Sequence, residues 1–126
     1  MTAAPHSIGR AQSLKTAQTK MRKWGARHLP VLEDGRLAGI LSERDVYFVE
    51  TIAGVDAATV KVEEAMTVDV YVVTPQASLL EVAEAMAEHK YGCAVVMEGP
   101  LVVGIFTTVD GLRALVAVAG GSVQQA

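Results

Sequence analysis

Gly39-Ile40-Leu41-Ser42-Glu43-Arg44-Asp45 returns further along the chain as Gly104-Ile105-Phe106-Thr107-Thr108-Val109-Asp110. Both copies run glycine, two apolar residues, a hydroxyl, two unconstrained positions and aspartate. An apolar pair suits a buried strand and Ser or Thr is a favoured helix N-cap, so each copy predicts a strand that passes directly into a helix. The hydroxyl then sits among the free amides of a helix start, where anions are attracted. The aspartate, three residues on, falls on the first helical turn beside it. Ser/Thr-x-x-Asp is equally a plain capping arrangement, and one motif can serve both purposes.

Working outward, Gly39 to Gly104 is a step of 65, and the same step carries Met1-Thr2 onto Met66-Thr67, Ser13-Leu14 onto Ser78-Leu79, Met21 onto Met86 and Val31 onto Val96. A fixed period across a whole chain marks duplicated supersecondary units, each unable to bury its apolar face alone. The expected division is repeat 1 over 1–59, repeat 2 over 60–121 and a flexible tail over 122–126.

Within repeat 1, residues 1–11 predict a loop or a short extended piece, in which Pro5 restricts its neighbours and Ile8 is the one strong apolar anchor. Ser13 caps a helix with Leu14, Ala17 and Met21 on one face and Lys15, Lys20, Arg22 and Lys23 on the other, ending about Gly25. Arg22 and Lys23 are expected to form a solvated face. Two apolar runs, 28–32 and 36–41, flank Asp34-Gly35 and predict a hairpin. After Ser42 a helix carries Val46, Phe48, Val49, Ile52 and Ala53, and 54–58 connect the copies. Repeat 2 follows suit, with a strand over 70–73, a capping box at Ser78-Leu79-Leu80-Glu81, a hairpin through Glu98-Gly99-Pro100, and a last helix from Thr107 stopped by Gly120-Gly121. Strands joined by tight turns are antiparallel and the helices must cover one face of each small sheet. The fold class is therefore α+β with internal pseudo-symmetry, each repeat running β-α-β-β-α.

Composition narrows the function classes. The 126 residues are 51% hydrophobic and 20% charged, enough to bury a core. A net charge of −3 and a pI near 5.5 give no basic field for nucleic acid. The one cysteine, Cys93, cannot form an internal disulfide and is expected to be a small core residue, which suits a reducing, cytoplasmic setting. The longest apolar stretch, 114–119, is far short of the roughly 20 residues of a membrane helix. No secretory signal is read at the N-terminus, so no membrane association or export is expected.

Taken together, Met-Thr, Ser-Leu, a helix ending in Met, Arg27-His28-Leu29-Pro30-Val31 and Gly39 through Asp45, in that order and repeated at 65 residues, resemble a tandem pair of CBS domains, or Bateman module. The resemblance implies two repeats packed through their small sheets, with two clefts in which adenine nucleotides bind. It also implies a homodimer formed through the helices over 43–53 and 108–119, whose wide apolar character exceeds what one core needs. Carried over by position, Asp45 and Asp110 would accept from ribose hydroxyls, and Ser42 and Thr107 would contact phosphate or ribose. Ile8 and Pro30 in one copy, with Val73 and Val95 in the other, would sandwich the base, and Arg27, His28 and Arg44 would meet phosphate. Repeat 2 has Gly92, Cys93 and Val109 where repeat 1 has those three. If each cleft draws its phosphate contacts from its own repeat, the Asp45 cleft takes a charged nucleotide and the Asp110 cleft a less charged adenosyl ligand or none.

The function expected from this is a stand-alone regulatory module that binds AMP, ADP, ATP or a related adenosyl ligand and signals to a separate protein. The alternative is a structural homodimer with empty clefts that acts only in protein interaction. Catalysis is not expected, because the sequence shows no nucleophile-base pair, metal cluster, catalytic cofactor motif or Gly-rich phosphate loop.

Overall fold

The computed structural model describes residues 2–3 and 6–122 of the 126. The readings made at Met1, at Pro5 and over 123–126 lie outside those residues. Two short strands, β1 (Thr2–Ala3) and β2 (Ile8–Gly9), lead into helix α1 (Leu14–Trp24), the hairpin β3 (His28–Glu33) and β4 (Arg36–Ser42), and α2 (Glu43–Glu50). A four-residue helix, α3 (Val62–Ala65), opens the second half, followed by β5 (Val72–Val73), α4 (Leu79–His89), the hairpin β6 (Cys93–Glu98) and β7 (Leu101–Thr107), and α5 (Thr108–Val118). The chain is α+β, as the repeat predicts.

The 65-residue step is visible in the hydrogen-bond register. In one hairpin His28 faces Ser42 and Val31 faces Gly39, with a bulge between Val31 and Leu32. In the other Cys93 faces Thr107 and Val96 faces Gly104, with a bulge between Val96 and Met97. A bulge adds local twist to its strand, and both copies place it at the same point. Asp34 (φ 51) and Gly35 (φ 78) make the first turn. Two successive positive φ angles are what a tight hairpin with right-handed twist requires.

Sheet membership does not follow chain order. One sheet runs β2-β3-β4 and the other β1-β7-β6-β5. Strand β1, from the start of the chain, pairs with β7, where Thr2 faces Ile105. In the pseudo-symmetric place Thr67 bridges Ile40 of β4, through Ile40 N–H to the Thr67 carbonyl and Thr67 N–H to the Ile40 carbonyl, each at 2.9 Å. Each repeat thus lends its leading segment to the other's sheet. Gly39 is needed here, since a Cβ on it would stand 2.7 Å from the Thr67 carbonyl oxygen and 2.8 Å from Met66 Sδ.

The core is lopsided. Repeat 1 closes around Ile8, Leu14, Ala17, Met21, Leu29, Val31, Leu41, Val46 and Val62. The connector completes it: Leu14 N–H donates to the Val60 carbonyl and Lys15 N–H to the Ala57 carbonyl. Repeat 2 has a small cluster under α4, of Val82, Met86 and Ala94. A second cluster, Ile40 with Cys93, Val95 and Ile105, joins the two sheets.

Three expectations about helix ends need adjustment. Helix α2 stops at Glu50, so Ile52 and Ala53 fall in the turn after it, and α5 is capped at Ala119 rather than by the glycine pair. At Ser78 the forward half of the capping box forms, Glu81 N–H donating to Ser78 Oγ at 3.3 Å. Boxes with both bonds stand instead at Ser42–Asp45 and Thr107–Asp110.

Candidate functional site

Helix α2 begins where β4 ends, and its first turn is fixed by two reciprocal bonds. Asp45 N–H donates to Ser42 Oγ at 3.0 Å, and Ser42 N–H donates to Asp45 Oδ2 at 2.9 Å. Among the described residues no protein group donates to Asp45 Oδ1. An ionised carboxylate with an open oxygen at a helix start can accept from vicinal hydroxyls, while the neighbouring amides favour negative charge.

This corner opens on a cleft of about 1540 Å³ that both repeats line. Repeat 1 contributes Arg27, His28, Ser42, Arg44 and Asp45, together with Arg22 from α1; repeat 2 contributes Thr67, Asp69, Tyr71, Lys90, Tyr91 and Gly92. The shared wall follows from the strand exchange, since the bridge between Thr67 and Ile40 carries 67–71 alongside β4. It corrects the premise that a cleft is furnished by its own repeat: Lys90 comes to the Asp45 cleft from repeat 2. The volume exceeds the several hundred cubic ångströms typical of a small-molecule site, so such a ligand would occupy only part of it.

His28 stands where the repeats meet. Its Nε2 is so close to the Gly92 backbone that a Cβ there would lie 2.9 Å away. Burial pushes its imidazole below the ordinary value, against the pull of Asp45, which favours the charged form. Its counterpart Cys93 is buried, and burial raises its thiol to about 11. That is the environment of a packing residue rather than a reactive thiolate.

The cleft gathers five of the eleven residues expected from sequence: Arg27, His28, Ser42, Arg44 and Asp45. The four proposed base contacts sit elsewhere. Ile8 is in the repeat 1 core, Pro30 is fully buried, and Val95 lies in the cluster between the sheets. Val73 packs on the cluster under α4. Thr107 and Asp110 form the second reciprocal cap, with Thr107 N–H donating to Asp110 Oδ2 at 2.8 Å. Residues 4 and 5, which the 65 step matches to 69 and 70, lie outside the described residues.

Sequence reasoning passed over several lining residues. Tyr71 and Tyr91 stack on each other at 5.0 Å between centroids, and His89 stacks on Tyr91 at 5.2 Å, giving the cleft an aromatic wall. The 65 step holds the signal: Tyr71 answers to His6 and His89 to Trp24, and His6 stacks on Trp24 at 3.9 Å. Lys90 holds a left-handed backbone, φ 59 and ψ 36, at the C-cap of α4, where repeat 1 has Gly25 at φ 62. Arg22, expected as a solvated face, is exposed and also borders the cleft.

Two α+β repeats that exchange leading strands across a pseudo-twofold axis, with a capped aspartate facing a cleft between them, define a paired-repeat module. A family profile described as CBS domain matches residues 1–49 and 62–117, and the chain belongs to that family. It is 32% identical over 116 residues to Hypoxic response protein 1 of Mycobacterium tuberculosis strain H37Rv, covering 91% of this chain and 81% of that one. A crystal structure from Vibrio cholerae described as an acetoin utilization protein, AcuB, superposes with a TM-score of 0.78 at 33% identity, over 96% of this chain and 94% of that one. The structure of CBSX2 in complex with AMP superposes with a TM-score of 0.80, over 94% of this chain and 93% of that one; at 23% identity it speaks for the fold alone.

Proposed function

We propose that the chain is a regulatory module that takes an adenine nucleotide into the Asp45 cleft and passes its binding state to a separate protein. The observation that carries this reading is the Asp45 carboxylate, held by a reciprocal cap with one oxygen open, at the mouth of a cleft bearing Arg22, Arg27, Arg44 and Lys90. Ribose hydroxyls would donate to Asp45, and phosphate would lie toward Ser42 and the cations. The base would rest against Tyr71 and Tyr91 in place of the aliphatic sandwich expected from sequence, because those aliphatic side chains are committed to the cores. AMP bound to a protein of the same fold supports the ligand class. Regulation then means differential affinity of the nucleotide for two arrangements of the repeats. We take 1–59 and 60–121 as the units that move.

Calorimetric titration with AMP, ADP and ATP tests this. Asp45→Ala should weaken binding by at least about ten-fold, the scale of a lost charge-assisted hydrogen bond, while Asp110→Ala leaves the Asp45 cleft intact. Wild-type protein that takes up none of the three would refute the reading.

A second reading, an interaction module with empty clefts, rests on the exposed apolar faces of α2 and α5. Phe48 is 67% and Val116 81% exposed, and α5 has no buried residue. These faces support a homodimer formed through 43–53 and 108–119 under either reading.

A further inference from the structure

Repeat 1 is closed by a segment whose counterpart edge on repeat 2 is exposed. Residues 57–63 run back along 10–15: Leu14 N–H donates to the Val60 carbonyl at 2.9 Å, Lys15 N–H to the Ala57 carbonyl at 3.1 Å, Val62 N–H to the Gln12 carbonyl at 2.8 Å and Glu63 N–H to the Arg10 carbonyl at 3.0 Å. Val62 is fully buried in the repeat 1 core, and Ala57 and Val60 pack on that core. Arg10 clamps the end of the segment, its Nε donating to Glu63 at 2.7 Å and its Nη1 to Glu33 at 2.5 Å.

The 65 step carries Arg10, Gln12, Leu14 and Lys15 onto Pro75, Ala77, Leu79 and Leu80. All of 74–81 is exposed, the two leucines included. Among the described residues no group accepts from the Leu79 or Leu80 N–H, so two donors of a helix start remain open to a partner backbone. The charge along this edge differs from that of the first. Pro75 supplies no guanidinium, which leaves Glu98, the counterpart of Glu33, exposed and outside any ion pair among the described residues. Helix α4 adds Glu81, Glu84 and Glu88 and has neither lysine nor arginine.

We propose that the edge at 75–80 docks an extended segment of a separate protein, apolar at the two places held in repeat 1 by Val60 and Val62 and basic at the place held by Glu63. Repeat 1 supplies the template for the backbone bonds and the buried side chain, and addition of an extended segment to an open edge is a general mode of peptide recognition. The charge sets the difference: where Arg10 joins two glutamates in repeat 1, an incoming arginine meets Glu98 directly. The proposal goes beyond nucleotide binding and stands without it, because neither Leu79 nor Glu98 lines the Asp45 cleft.

Fluorescence anisotropy of the full chain tests this with a labelled peptide of the chain's own 57–66 sequence carrying Glu63→Arg. It should bind at least about three-fold more tightly than the unaltered 57–66 peptide at low salt, the scale of an exposed ion pair. Leu79→Asp in the protein should weaken it at least about ten-fold by setting a charge against the apolar residues of the peptide. Glu98→Arg should reverse the preference between the two peptides, a result that a misfolded variant would not give. Peptides that bind no better than a scrambled sequence, or equally well to the Leu79→Asp protein, overturn the proposal. Binding that emerges only after removal of residues 122–126 gives the edge to the chain's own tail, and a peptide that dissociates a dimer of the chain gives it to a second copy; either result overturns a separate partner. Nucleotide titration of the same variants reads the Asp45 cleft independently, so failure of the docking edge leaves the nucleotide reading standing.

Discussion

Lys90 occupies a backbone conformation that costs an ordinary L-residue roughly 1–2 kcal/mol, at a position where the first repeat uses glycine. Strain of this kind gathers at sites of function, and here it sets an ammonium group at the edge of the Asp45 cleft. Lys90→Gly should therefore raise the melting temperature of the free protein while weakening ATP several-fold and leaving adenosine unchanged, a pair of readouts that one differential scanning and one calorimetric series would supply. His28 makes a pH prediction. Its folded pKa lies below the ordinary 6.5, so an unfolded chain takes up a proton that the folded chain refuses. Its contribution to stability is complete above about pH 6.5 and is lost as pH falls through the lower folded value. Urea midpoints measured between about pH 7.5 and pH 5.5 should drop for the wild type and drop less for His28→Gln. The residue types at Ser42, Arg44 and Asp45 were legible because the capping motif is local. The roles of Tyr71, Tyr91 and Lys90 were not, since they reach the cleft through tertiary placement that their own neighbours in sequence do not encode.

Among the elements, α1 and α4 show how one pattern gives two degrees of closure. Leu14 is fully buried under the connector, whereas Leu79, its equivalent, is 50% exposed. Leu14→Ala should cost about 2–5 kcal/mol and Leu79→Ala less than about 1 kcal/mol, which chemical denaturation of the two variants would resolve. The helices and hairpins followed from periodicity, caps and the Asp-Gly turn. Strands β1, β2 and β5 are two residues each, too short for an alternating pattern, and their pairing is set by what the rest of the fold leaves open. The exchange of leading segments was invisible for that reason, although Gly39, which only a close backbone approach demands, was already prominent in the sequence. Helix α2 ended early because its apolar run continues into the turn at 51–54, and hydrophobicity does not mark where a helix stops.

For the molecule as a whole, duplication predicted two pseudo-symmetric halves, and the family match over 1–49 and 62–117 agrees with that. No helix among the described residues is long and apolar enough to cross a membrane. What duplication did not reveal is how far the halves have diverged: one has the larger core and the cationic helix, the other the smaller core and the anionic helix. Divergence of that sort makes a ligand or a second copy meet two different surfaces, and it gives the interface between halves a direction that a perfect repeat would lack.

Because Thr2 is laced into the far sheet and Thr67 into the near one, a gene for a single unit would have yielded a lone half with a borrowed strand missing. A single unit would then be complete only as a swapped couple, each copy supplying the segment the other lacks. The covalent link is then dispensable in principle: fragments 1–59 and 60–126, produced apart, should each be poorly folded, yet regain the native far-UV and near-UV circular dichroism when mixed. Two halves that fold independently and ignore each other would show that the lacing is ornamental.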